Sequence, residues 1–77
     1  MKYRPRPIDV VLAGGCPASV RLGARSMRVA RVLDSWTVQG RWWACEERRT
    51  YYRLETQQCV VEVYEAGGRW YLSKILD

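Results

Sequence analysis

Apolar and polar residues alternate with a period of two along most of the chain, the pattern of half-buried strands. Ile8, Val10 and Leu12 mark a first strand, which Gly14-Gly15 ends. A second, over 18–22, follows Pro17 and carries Val20 and Leu22. Residues 26–38 read as one long third strand, rich in β-branched side chains and free of Gly and Pro. Its phase is irregular. Met27 and Val29 fall on one face, whereas Val32, Trp36 and Val38 fall in the opposite phase. A β-bulge near Ala30-Arg31 would bring both sets to one face and bend the strand. Gln39-Gly40 is expected to end it. A fourth strand, 50–56, carries Tyr52 and Leu54; a fifth, 59–64, turns Cys59, Val61 and Val63 inward; the last spans 69–76.

The turns set the register. A four-residue loop, Gly23–Ser26, pairs Leu22 with Met27 and Val20 with Val29, and places Arg21 opposite Arg28 on the other face. A two-residue turn at Gln57-Gln58 places Arg53 opposite Glu62. A loop over Glu65–Gly68 pairs Val63 with Trp70, Val61 with Leu72 and Glu62 with Tyr71. Residues 39–49 fit neither a clean strand nor a good helix, and long ordered loops often carry function. Residues 1–7 are basic and contain two prolines, so they read as a flexible arm before a single β domain over 8–77.

The fold class is therefore all-β: an antiparallel meander of about six strands. A flat sheet would leave a large apolar face uncovered, so the meander is expected to curl into a small SH3-like or OB-like barrel. Its core is expected to join Met27, Val29, Val32 and Trp36 to Val61, Val63, Trp70 and Leu72.

Composition sharpens the picture. The 77 residues are 48% hydrophobic, enough for one small globular domain. There is no Phe, so four Trp and five Tyr supply the aromatic bulk. Their N–H and O–H groups want partners, which places several rings at the edge of the core. Cys16, Cys45 and Cys59 are widely spaced and no His accompanies them, which argues against zinc and for reduced thiols in the cytoplasm. No apolar run is long enough to span a membrane. Without His, without a base placed beside a cysteine and without a Gly-rich phosphate loop, the chain offers no catalytic constellation and implies no cofactor.

The net charge is +5, and eleven of the thirteen basic residues are Arg. Arg suits bidentate phosphate and carboxylate contacts and stacks on flat rings, so the balance favours an anionic partner. A solvated basic surface is the bland alternative. Two candidate sites stand out. Arg21 and Arg28, directly opposed, would repel each other unless an anion bridged them. With Arg25 and Arg31 they form a candidate phosphate patch, or else splay into water or meet Asp34. Trp42 and Trp43, flanked by Arg41, Arg48 and Arg49, suit single-stranded nucleic acid, because bases stack on the rings while Arg holds the backbone. The same residue types dominate protein–protein hot spots. Alternatively, one ring caps the open end of the core. A monomer is expected, or a weak homodimer through an unpaired edge strand.

The run Arg28-Val-Ala-Arg-Val-Leu-Asp-Ser-Trp36, followed by Gly40-Arg-Trp-Trp43, resembles a small bacterial domain of unknown function. That domain accompanies Y-family translesion polymerases of the ImuB type. The similarity continues through Pro7-Ile8-Asp9, Arg49-Thr-Tyr-Tyr-Arg53 and the ending Trp70–Asp77. It implies a DNA-repair setting, which favours single-stranded DNA over RNA as the partner, and brings no catalytic residues. It leaves two expectations: a non-enzymatic nucleic-acid-binding module, or an adaptor that docks on a DNA polymerase or its partner.

Overall fold

The computed structural model describes the backbone of residues 6–42 and 45–76, and their side chains outside 40–47. Six strands follow in order: β1 (Arg6–Ala13), β2 (Cys16–Leu22), β3 (Arg25–Trp42), β4 (Cys45–Thr56), β5 (Val60–Ala66) and β6 (Arg69–Leu76). Each pairs antiparallel with the next, and β1 returns to β6 to close a barrel. The all-β antiparallel meander is as the hydrophobic pattern predicts. β1 starts at Arg6, so Arg6 and Pro7, expected in the arm, belong to the barrel. Closure rests on three pairs, Arg6–Leu72, Pro7–Tyr71 and Ile8–Trp70.

Two strands serve both walls of the barrel. β1 pairs with β6 through residues 6–8 and with β2 through residues 9–13. β3 pairs with β2 through residues 25–28 and with β4 from Val29 onward. Bulges supply the bends that let such strands turn a corner. The third strand is longer than the sequence reading gives it. It runs through Gly40 to Trp42, paired against β4 as Gly40–Glu47, Arg41–Glu46 and Trp42–Cys45. Residues 39–42 and 45–49, read from the sequence as neither a clean strand nor a good helix, thus extend the β3–β4 hairpin beyond the end of β5, whose first partner on β4 is Thr50.

Two turns are shorter than expected. β2 and β3 pair as Val20–Met27 and Leu22–Arg25, leaving Gly23-Ala24 as a two-residue turn. β5 and β6 pair as Ala66–Arg69, Tyr64–Tyr71 and Val63–Leu72, leaving Gly67-Gly68. Twisted hairpins favour two-residue primed turns, which need positive φ. Gly67 and Gly68 supply it at 61° and 82°, and Gly23 supplies it at 61°. Each register moves by two residues, so the inward faces survive while every cross-strand partner changes. The β4–β5 turn is as predicted, with Arg53 opposite Glu62. Thr56 clamps it: its hydroxyl donates to the Cys59 carbonyl at 2.7 Å and accepts from the Cys59 N–H at 3.1 Å.

The bulge predicted at Ala30-Arg31 is present, with Ala30 unpaired between Val29–Thr56 and Arg31–Glu55. A second slip skips Leu33, between Val32–Leu54 and Asp34–Arg53. Two slips cancel. Beyond Leu33 the strand recovers the phase opposite to the one a single bulge gives, so Trp36 leaves the expected core and points outward. Val32 keeps the inward phase but is 37% exposed. The core consists of Ile8, Val20, Met27, Leu54, Val61, Val63 and Leu72, with Val29 and Trp70 packed against it.

Candidate nucleic-acid interface

The outer surface is built in rows that cross the strands. One row runs Trp36–Tyr51–Tyr64–Tyr71 over β3, β4, β5 and β6, each ring directly opposite the next, and ends beside Pro7 of β1. Trp36 and Tyr51 stack at 5.4 Å, and Tyr64 meets Tyr51 and Tyr71 at 5.1 Å each. The Arg49 guanidinium lies 4.8 Å from the centre of the Tyr64 ring, and that of Arg53 lies 5.5 Å from the Trp36 ring. Tyr64 is only 2% exposed although it faces outward, so the ladder buries its own middle. Ring faces that contact one another are closed to an incoming base. The ladder therefore stabilises the barrel from outside, in a chain without Phe.

The adjacent row is ionic. Asp34, Arg53, Glu62 and Lys74 stand opposite one another, with Ser73 as the extra residue on β6. Glu62 is 6% exposed. It accepts from Arg53 Nη2 at 3.3 Å and from the Ser73 hydroxyl at 3.0 Å. Burial of a carboxylate is tolerable here because both of its oxygens have donors. Further along, Arg31 Nε donates to Glu55 Oε1 at 2.7 Å on the exposed surface.

The β2–β3 hairpin differs. The expected Arg21–Arg28 opposition is not found: the two-residue turn sets Arg21 opposite Ser26 and Arg28 opposite Ser19. The two arginines are diagonal neighbours on the outer face, about 7–8 Å apart at the backbone. Arg25 opens β3 at the hairpin tip, opposite Leu22. All three are exposed, and among the described residues none makes an ion pair. Asp9 of β1 stands opposite Arg21, but no ion pair joins them.

The predicted site residues thus divide. Arg21 and Arg28 are brought together on the outer face, whereas Arg25, opposite Leu22 at the hairpin tip, falls on the other face. Arg31 is neutralised by Glu55 and lies apart from them past the first bulge. Arg49 covers Tyr64. Arg48 is exposed on β4 opposite Gln39. Arg41 and Trp42 are placed by backbone only, near the end of the long hairpin, and Trp43 lies outside the described residues. Sequence reasoning missed Tyr51, Tyr64 and Tyr71. A Gly-Gly two-residue turn, taken at face value, would have put Tyr71 opposite Tyr64. Among the described residues no group of three or more Cys, Asp or Glu could hold a metal ion. No family model, curated protein or solved structure matches this chain.

Proposed function

We propose that this chain is a non-enzymatic module that binds single-stranded nucleic acid, DNA by preference, through the outer face of the β2–β3 hairpin. The observation that carries the reading is the contrast among the arginines. Arg31 and Arg53 have carboxylates and Arg49 has a ring, whereas Arg21 and Arg28 are exposed without ion-pair partners and are diagonal neighbours on the outer face; Arg6, Arg25, Arg48 and Arg69 are exposed as well, but none lies beside this pair on that face. Serine hydroxyls stand opposite Arg21 and Arg28 and add phosphate donors to the same surface. The barrel is read as SH3-like rather than OB-like, because its strands follow sequentially whereas an OB barrel is a Greek key. The resemblance to the domain that accompanies ImuB-type polymerases supports a setting in translesion synthesis or DNA repair. Trp42, at the end of β3, and Trp43, outside the described residues, are the candidates for base stacking.

Fluorescence anisotropy with a labelled single-stranded oligonucleotide tests this reading. The parent should bind at low salt, and Arg21→Glu with Arg28→Glu should remove most of the binding. Equal binding by the double variant would overturn it.

A further inference from the structure

We propose that the groove beside the hairpin arginines is a base-binding subsite that selects guanine, with Asp9 as the residue that reads it. This deepens the phosphate-binding reading of Arg21 and Arg28 and rests on it. Ladder pairing between β1 and β6 stops at Ile8–Trp70, and beyond it the strands part around a groove of about 360 Å³. Asp9 and Val10 line one side; Gly68, Arg69 and Trp70 line the other. On the opposite side of β1, the partner of Asp9 is Arg21. A single strand thus separates the groove from the arginine patch, and neighbouring strands lie only about 5 Å apart. A phosphate on Arg21 and a base in the groove are within reach of one nucleotide.

The outer face of this corner is two rows of cross-strand neighbours. One runs Asp9–Arg21–Ser26 and the other Val11–Ser19–Arg28. The arginines and serines supply donors for phosphate oxygens. Asp9 and Val11, both exposed, form the margin on the groove side. Asp9 makes no ion pair although Arg21 stands directly opposite. Exposed pairs of this kind are weak. A ligand that offers Arg21 a phosphate and Asp9 an N–H group satisfies both.

The groove itself suits a neutral flat ring rather than another phosphate. Arg69 there faces Asp9, and Glu65 lies close by, its Oε2 accepting from the Gly68 N–H at 2.8 Å. Two carboxylates against one guanidinium disfavour an anion. Trp70 is half-buried, its ring 5.4 Å from that of Tyr52, and with Val10 it gives the groove apolar surface. Arg69 is exposed and offers a guanidinium plane. Unstacked bases are held in this way, by aromatic or Arg contact on their faces and hydrogen bonds on their edges.

The choice of base follows from the carboxylate, which only accepts, through two adjacent oxygens. Guanine alone presents two adjacent donors on its Watson–Crick edge, N1–H and the N2 amino group, and so engages both oxygens at once. Adenine and cytosine place an acceptor ring nitrogen next to their amino group. Thymine places a carbonyl on each side of its N3–H. Each of these sets a lone pair against the second oxygen.

Fluorescence anisotropy with the full chain tests the proposal, comparing a labelled oligothymidine with the same strand carrying one central guanine. The guanine strand should bind at least about tenfold tighter. Inosine in place of guanine lacks the N2 amino group and should lose most of that gain. Asp9→Asn, at an exposed position, should keep the parent's thermal transition. It should bind oligothymidine at least as well as the parent, since a negative charge beside Arg21 is gone, and should show no guanine preference. Three outcomes would overturn the base subsite and leave the phosphate reading standing: equal affinity of the parent for both strands, inosine as tight as guanine, or a guanine preference that survives in Asp9→Asn. A parent that binds neither strand at low salt would overturn both.

Discussion

Trp36 stacks on Tyr51 across the outside of the barrel, with ring centroids 5.4 Å apart and planes within 3° of parallel. The pair exists because β3 slips twice, at Ala30 and at Leu33. A strand that slipped once would bury Trp36 and leave Tyr51 without its stacking partner. The ladder that begins with this pair converts outward-facing positions, ordinarily energetically neutral, into a second packed layer.

The ladder predicts an ordering of stabilities. Trp36 stands at its end and touches Tyr51 and Arg53. Tyr64 stands in its middle, against two tyrosines and Arg49. Trp36→Ala should cost about 1–3 kcal/mol, the ring contacts plus partial burial. Tyr64→Ala should cost about 3–5 kcal/mol, as for a buried aromatic. Urea unfolding gives both values. The reverse order would put Trp36 in the core after all.

Val61 tests the barrel interior. It is fully buried between Leu54 on β4 and Ile75 on β6. Val61→Asp places an unpaired charge there and should unfold a domain whose total stability is only about 5–10 kcal/mol. A cooperative thermal transition near the parent's would contradict this core.

Two ion pairs should respond differently to loss of their carboxylates. Glu62→Ala strips a half-buried Arg53 and Ser73 of their acceptor and should cost about 1–3 kcal/mol. Glu55→Ala frees an exposed Arg31 and should cost less than about 1 kcal/mol. Chemical denaturation of the two variants, side by side, checks the contrast.

The Gly67-Gly68 turn should be intolerant of side chains for backbone reasons alone. A Cβ on Gly68 would meet nothing within 4 Å, but its φ is +82°. Gly68→Ala should therefore cost about 1–2 kcal/mol. A neutral effect in thermal unfolding would mean that the turn rearranges freely.

Strand existence, order and facing were legible in the sequence because period-two alternation survives small errors of register. Leu54, Val61, Val63 and Leu72 sit inward whether a hairpin slides by two residues or not. Cross-strand partners were less legible, since they depend on turn length. Treating Gly23 and Gly67-Gly68 as parts of four-residue loops opposed Arg21 to Arg28 and Glu62 to Tyr71, neither of which occurs. The second bulge left no sign in the pattern. Trp36 and Val38 are apolar and read as core residues, yet they face outward, Trp36 because Tyr51 lies opposite. The candidate site was legible only as a cluster of arginines. Which of them keep their charge free depends on where Glu55, Glu62 and Tyr64 fall, and that depends on register.

The measurement that bears most directly on the central claim is the salt dependence of single-stranded DNA binding, parent against Arg21→Glu with Arg28→Glu. Phosphate contacts release counterions, so log K should fall linearly with log salt, with a slope of about 0.7 for each contact. Both arginines face away from the core, so the fold should persist in the double variant. Its slope should be shallower than the parent's by about 1.4, the value for two contacts. A parent that fails to bind at low salt, or a double variant with the parent's affinity and slope, would contradict the claim.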